Sequence, residues 1–110
     1  MGLLDERSYY KPFNYPWAFE AYKTQQHMHW LPEEVNLADD LRDFRDKLSD
    51  DNKNLLSNIF RFFTQADVDV ACGYATHYLP TFKQPEVRMM LSAFANMEAV
   101  HQEAYSLLLE

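Results

Sequence analysis

Four residues have the types and spacing to do chemistry together: Asp67, Glu98, His101 and Tyr105. Glu98 and His101 lie three apart and Tyr105 follows four later, so on a helix the three share one face. Two carboxylates and one imidazole make an oxygen-rich ligand set that suits iron or manganese better than a thiolate-loving metal. The reason to invoke a metal is energetic. An ionised carboxylate in an apolar seam costs several kcal/mol, and two neighbouring carboxylates raise each other's pKa. A divalent or trivalent cation offsets both effects and takes the neutral imidazole as a ligand.

A lone Glu-x-x-His arises often by chance on amphipathic helices, so its surroundings decide its weight. Leu56, Phe60, Phe63, Asp67, Val70 and Tyr74 are spaced by alternate steps of four and three, one apolar stripe interrupted by an aspartate. Val87, Leu91, Phe94, Glu98, His101, Tyr105 and Leu108 repeat the pattern, with three consecutive polar entries. Asp69 is two residues from Asp67, about 200° round the helix, and falls off the stripe. Glu103 is likewise two residues from His101 and Tyr105. A carboxylate facing Glu-x-x-His is half of a ferritin-like di-metal site. The residues alone leave plainer readings open: Glu98 and His101 hydrogen-bonding each other in a wet interface, and Tyr105 as an ordinary core tyrosine.

These side chains need long helices to carry them. Residues 1–14 read as irregular. Pro16 suits a first helical position and opens a helix over 16–30, and Pro32 disfavours helix at Leu31. Residues 36–48 are polar, short helix or loop. Ser49, followed by Asp50 and Asp51, starts a helix over 50–79, in which Gly73 costs about 1 kcal/mol. Pro80 ends it, and Pro85 opens the last helix, 85–110. The short link predicts that the two long helices are antiparallel neighbours.

Composition agrees with an all-α fold in one domain, 1–110: 47% hydrophobic and 15% aromatic residues, with only 2 glycines. The net charge of −7 argues against a nucleic-acid role. The single cysteine, Cys72, cannot form an internal disulfide. No apolar run reaches transmembrane length and no secretory signal is evident, so the chain reads as cytoplasmic, with no membrane partner.

The order of motifs resembles the N-terminal part of the small, radical-generating (beta) subunit of class I ribonucleotide reductase. "HWLPEEVNLADD" is similar to its Trp-x-Pro-Glu-Glu-Val segment. "LLSNIFRFFTQADVDV" resembles the helix with the first metal aspartate, and "FANMEAVHQEAYSLLLE" the helix with Glu-x-x-His and the radical tyrosine. "YKPFNYPWAFEAY" looks like the bacterial branch. The likeness runs from about Tyr10 to Glu110.

The resemblance implies the N-terminal part of a ferritin-like di-metal bundle: two long antiparallel helices plus a shorter N-terminal one. It implies Asp67, Glu98 and His101 as ligands of one metal of a di-iron centre (manganese in place of iron is open), with Glu98 bridging to the second. Tyr105 would be the radical residue, shielded by Phe94 and Leu108, and Trp30 an electron relay; without the resemblance Trp30 reads as an aromatic plug. Trp17 reads as packing, and His27, His29 and His77 as surface or structural. The implied partners are the large (alpha) subunit and, in the full-length form, a second copy. The family's second glutamate, second Glu-x-x-His and docking tail have no counterpart, so the chain is expected to be a fragment that does not assemble the cofactor alone. The alternatives are another ferritin-like di-iron oxidase or monooxygenase, and an inactive helical fragment.

Overall fold

Helices account for nearly all regular structure in the computed structural model, which describes residues 2–108, with the backbone alone at Leu108. They are α1 (Pro16–His27), α2 (Ala38–Asp46), α3 (Asp50–Gly73), α4 (Leu79–Thr81) and α5 (Pro85–Leu108). A 3-10 turn, Pro32–Glu34, precedes α2, and a π-helical turn, Tyr74–Tyr78, joins α3 to α4. The described residues contain no strand. The all-helical expectation therefore holds, with α3 and α5 as the two long antiparallel helices: Phe60 meets Tyr105, and Asp67 meets Gln102. The expected shielding role of Leu108 falls on a side chain outside the described residues.

Local chemistry explains where the elements start and stop. The Ser49 hydroxyl accepts from the Asn52 amide at 3.2 Å, and Asp50 and Asp51 occupy the positive first turn of α3. α1 stops at His27, short of Trp30, because Leu31 before Pro32 is extended (φ −116°, ψ 149°). The polar stretch after Asn36 is helical as α2, which buries no residue and meets α3 where Lys53 Nζ donates to the Arg45 carbonyl. Pro80 lies in the last turn of the helical path, which ends one residue later at Thr81. It follows directly on the π turn, whose wider coil leaves room for a ring that crowds the preceding turn of an α-helix. Arg88 Nε then caps the end, donating to the Leu79 and Phe82 carbonyls at 3.2 and 3.0 Å.

The tightest packing lies at the start of α5. Ala18 of α1 packs with Val87 and Leu91, surrounded by Leu3, Tyr15, Tyr74, Leu79, Phe82 and Met90. α1 runs alongside α5 in the same direction, since Gln25 and Met28 near its end reach Met97 and Glu98. Beyond Leu91 the deepest side chains of α5 are Ala93, Met97 and Val100. The expected stripe through Phe94, Glu98, His101 and Tyr105 lies one residue round from these and is only half-buried. It faces α3, none of whose residues is buried.

The N-terminal arm has no helix before Pro16 among the described residues, but it is firmly held. Arg7 is buried and forms a two-pronged ion pair with buried Glu86, Nη2 to Oε1 at 2.6 Å and Nη1 to Oε2 at 3.0 Å. Arg7 also donates to the Tyr9 and Tyr10 carbonyls and to Gln84 Oε1. Glu86 accepts from the Asn14 and Tyr15 amides, and Gln84 Nε2 donates to the Asp5 carbonyl. Burial pushes the Glu86 carboxyl up, but the Arg7 hydrogen bonds and backbone donors outweigh it, so its pKa is lowered.

Candidate metal centre

α3 and α5 run side by side, and their facing turns bring together three side chains. One ligand atom from each of Asp67, Glu98 and His101 lies within 4.8 Å of the others. Among the described residues this is the group with metal-ligating geometry. Glu98 and His101 meet along one helix face, Oε2 to Nδ1 at 3.6 Å. Asp67 comes across from α3, where the Gln102 side chain donates to its carbonyl at 3.4 Å. The excluded neighbours behave as the periodicity requires: Asp69 is exposed and accepts from Gln65, and Glu103 is exposed.

The electrostatics suit a cation. Asp67 Oδ2 is buried and has no hydrogen-bond partner, an arrangement that ordinarily costs about 1–3 kcal/mol. Burial, then the adjacent Asp67 carboxylate, push the Glu98 pKa up, and His101 offsets this only in part. Two crowded carboxylates, one with an unpaired buried oxygen, and an imidazole within reach are a donor set that a hard divalent ion satisfies. The residues present fit such an ion.

Aromatic rings surround the cluster. The Trp30 ring lies 6.3 Å from that of His101 at an interplanar angle of 38°. It sits past the end of α1, next to the turn that contains buried Pro32. Trp30, Gln25, Met28, Tyr74, Phe94 and Met97 join Glu98 and His101 around a cavity of about 330 Å³. Tyr105 does not line this cavity. It lies between Phe60 and Phe63, with ring centroids 6.2 and 5.4 Å away and nearly parallel planes. Burial first, and then the charge of Glu98, hold the Tyr74 phenol above its ordinary pKa.

Other sequence readings come out as follows. His27, His29 and His77 are exposed and do not belong to the three-residue cluster. Trp17 is 56% exposed, so it is not the packing residue it was expected to be, although its ring meets Tyr15 edge-on. The reading along stripes missed the Arg7–Glu86 pair, because it joins residues 79 apart in sequence. The only local hint was a pair of polar residues, Gln84 and Glu86, flanking the proline that opens α5.

Comparisons with known proteins agree on one family. The sequence profile of the ribonucleotide reductase small chain matches residues 7–110. A probable ribonucleoside-diphosphate reductase small subunit of Invertebrate iridescent virus 6 is 54% identical over 110 residues, covering 100% of this chain and 31% of the viral protein. The ribonucleoside-diphosphate reductase small subunit of Dictyostelium discoideum is 33% identical over 99 residues, 90% of this chain and 29% of that protein. The ribonucleotide reductase Rnr4 homodimer of Saccharomyces cerevisiae superposes with a TM-score of 0.86 at 27% identity, over 97% of this chain and 35% of the yeast chain. The chain thus spans about a third of the length of the relatives it matches.

Proposed function

Because this chain belongs to the ribonucleotide reductase small-chain family, we propose that it carries one half of a radical-generating di-metal centre of a ribonucleoside-diphosphate reductase. The observation that carries the reading is the convergence of Asp67, Glu98 and His101, with ligand atoms within 4.8 Å of one another and one buried aspartate oxygen unpaired. Asp67, Glu98 and His101 would hold one ion, and Glu98 would contribute to the second as well. Iron is the proposed metal; the ligand set also accepts manganese. A two-metal centre needs more ligands than these three, so the rest come from polypeptide outside these residues.

The metal pair, when bound and reacted with oxygen, supplies the one-electron oxidising power that a phenol otherwise resists. The remaining roles belong to the chain's own side chains. Tyr105 lies four residues past His101, about 6 Å along the helix axis. There it would give up one electron to that oxidant and its phenolic proton to a hydrogen-bond acceptor at the metal site, and remain as a neutral radical. The Phe60 and Phe63 rings pack beside it and cover part of that face, Phe63 itself being open to solvent on its outer side. Trp30, against His101, passes electrons between the centre and the outside. The large subunit, which reduces ribonucleotides to deoxyribonucleotides, and a second small chain are the proposed partners.

Ferrous iron titration followed by exposure to oxygen tests this reading. The isolated 110-residue chain is expected to bind one iron weakly, to lose at least tenfold in affinity in Asp67→Asn, and to show no tyrosyl radical by electron paramagnetic resonance. Two irons and a radical per isolated chain would overturn the need for outside ligands. In a complete small chain carrying these residues, Tyr105→Phe should keep the metal and lose the radical. A radical of unchanged character in that variant would refute the Tyr105 assignment.

A further inference from the structure

Tyr74 and Tyr78 are a feature that the proposed function leaves unused. Tyr74 lines the same cavity as Glu98 and His101. The Tyr78 ring stands edge-on to it, centroids 5.6 Å apart and planes at 63°. Tyr78 is 49% exposed, so the two rings run from the cluster to solvent. They are also the first and last residues of the π-helical turn. Such turns are rare, add one residue to the coil and reset the phase of everything after them, and they occur mostly at functional sites.

We propose that Tyr74 and Tyr78 form a two-step electron path between the metal cluster and the protein surface, separate from Tyr105 and Trp30. This rests on the metal reading above. In the first step Tyr74 would lose one electron to the oxygen- or peroxide-oxidised metal, and its phenolic proton would pass to solvent through the open cavity it lines. In the second, Tyr78 returns an electron to Tyr74, which regains a proton, and Tyr78 releases its own proton to bulk water. A one-electron reductant at the surface, of the ascorbate or thiol class, then restores Tyr78 with an electron and a proton. Net transfer is one electron inward. The path gives the cluster a route for discharging excess oxidising power that leaves Tyr105 untouched.

Metal-directed oxidation with mass-spectrometric mapping tests the path on the chain as it is. One equivalent of ferrous iron is added, then hydrogen peroxide, and oxidation is quantified at His101, Tyr74, Tyr78, Tyr9 and Tyr10. Tyr9 and Tyr10 are matched controls, with exposures of 47% and 48%. The expected result is iron-dependent oxidation of Tyr78 several-fold above the controls, falling to their level in Tyr74→Phe while His101 oxidation persists. Undiminished Tyr78 oxidation in Tyr74→Phe would overturn the path and leave the metal reading intact. Oxidation of His101 and Tyr78 no greater than the controls would overturn the metal reading, and the path with it. A Tyr78→Phe variant adds an independent arm: oxidation should then accumulate at Tyr74, and no increase there would also refute the relay.

Discussion

Asp67 shows most directly how one residue trades stability for function. Its buried, unpaired oxygen and its pressure on Glu98 both act against the fold when no cation is present. In chelator-treated protein Asp67→Asn is expected to raise stability by about 1 kcal/mol, read as a higher urea midpoint, while iron affinity falls. A variant that lost stability would mean that the aspartate is satisfied without a cation, as by a hydrogen bond from a protonated Glu98, whose pKa is raised beside it. This residue was legible in the sequence because periodicity alone placed a charge on an apolar stripe. The depth of its neighbours was less legible. A period of 3.6 identifies a face, but not which of two adjacent stripes is packed against α1 and which against the open side of α3.

At the scale of elements, the arm depends on the Arg7–Glu86 pair. Both side chains are fully removed from water, so breaking the pair leaves a buried charge uncompensated; Arg7→Ala should cost about 3–5 kcal/mol, seen in thermal or urea unfolding. The Glu86 pKa is lowered in the folded state, so its contribution is present above the unfolded-chain value of 4.5 and is lost as pH falls through the lower folded value. Glu86→Gln should therefore be less stable than wild type at pH 7, and the gap should shrink on acidification below 4.5. A gap constant with pH would remove the electrostatic explanation. Helix starts at Ser49 and Pro85 could be read in advance because caps and prolines act locally. The arm could not, since its partners lie across the fold. The π turn was equally hidden: Gly73 reads as a tolerated helical residue and Pro80 as the stop, and nothing between them signals the wider turn at Tyr74–Tyr78 that carries the path on to Thr81.

The whole molecule is elongated. Its radius of gyration is 18.4 Å and its extents are 58 × 25 × 16 Å, against about 13 Å for a compact domain of this length. It is little more than one layer of helices deep, which explains why α3 buries nothing fully and why Leu55, Ile59, Phe62 and Phe63 are exposed. Phe62 is the most open of these at 68%. Such a face promotes self-association. Sedimentation velocity should show concentration-dependent oligomers that Phe62→Glu reduces, and equal association in the variant would place the contact elsewhere. The fold class was evident from composition and pattern, while the openness of the layer is a property of depth, which a one-dimensional pattern does not record.

α5 keeps its two tasks on different meridians. Ala93, Met97 and Val100 are buried, and Glu98, His101 and Tyr105 follow one step round the same cylinder. A population of variants of this helix would sort by phase: changes along the first line alter how much protein survives, and changes along the second alter what the survivors can do. Each line can drift with little reference to the other, so the helix can accumulate sequence change while the chemistry it displays stays fixed.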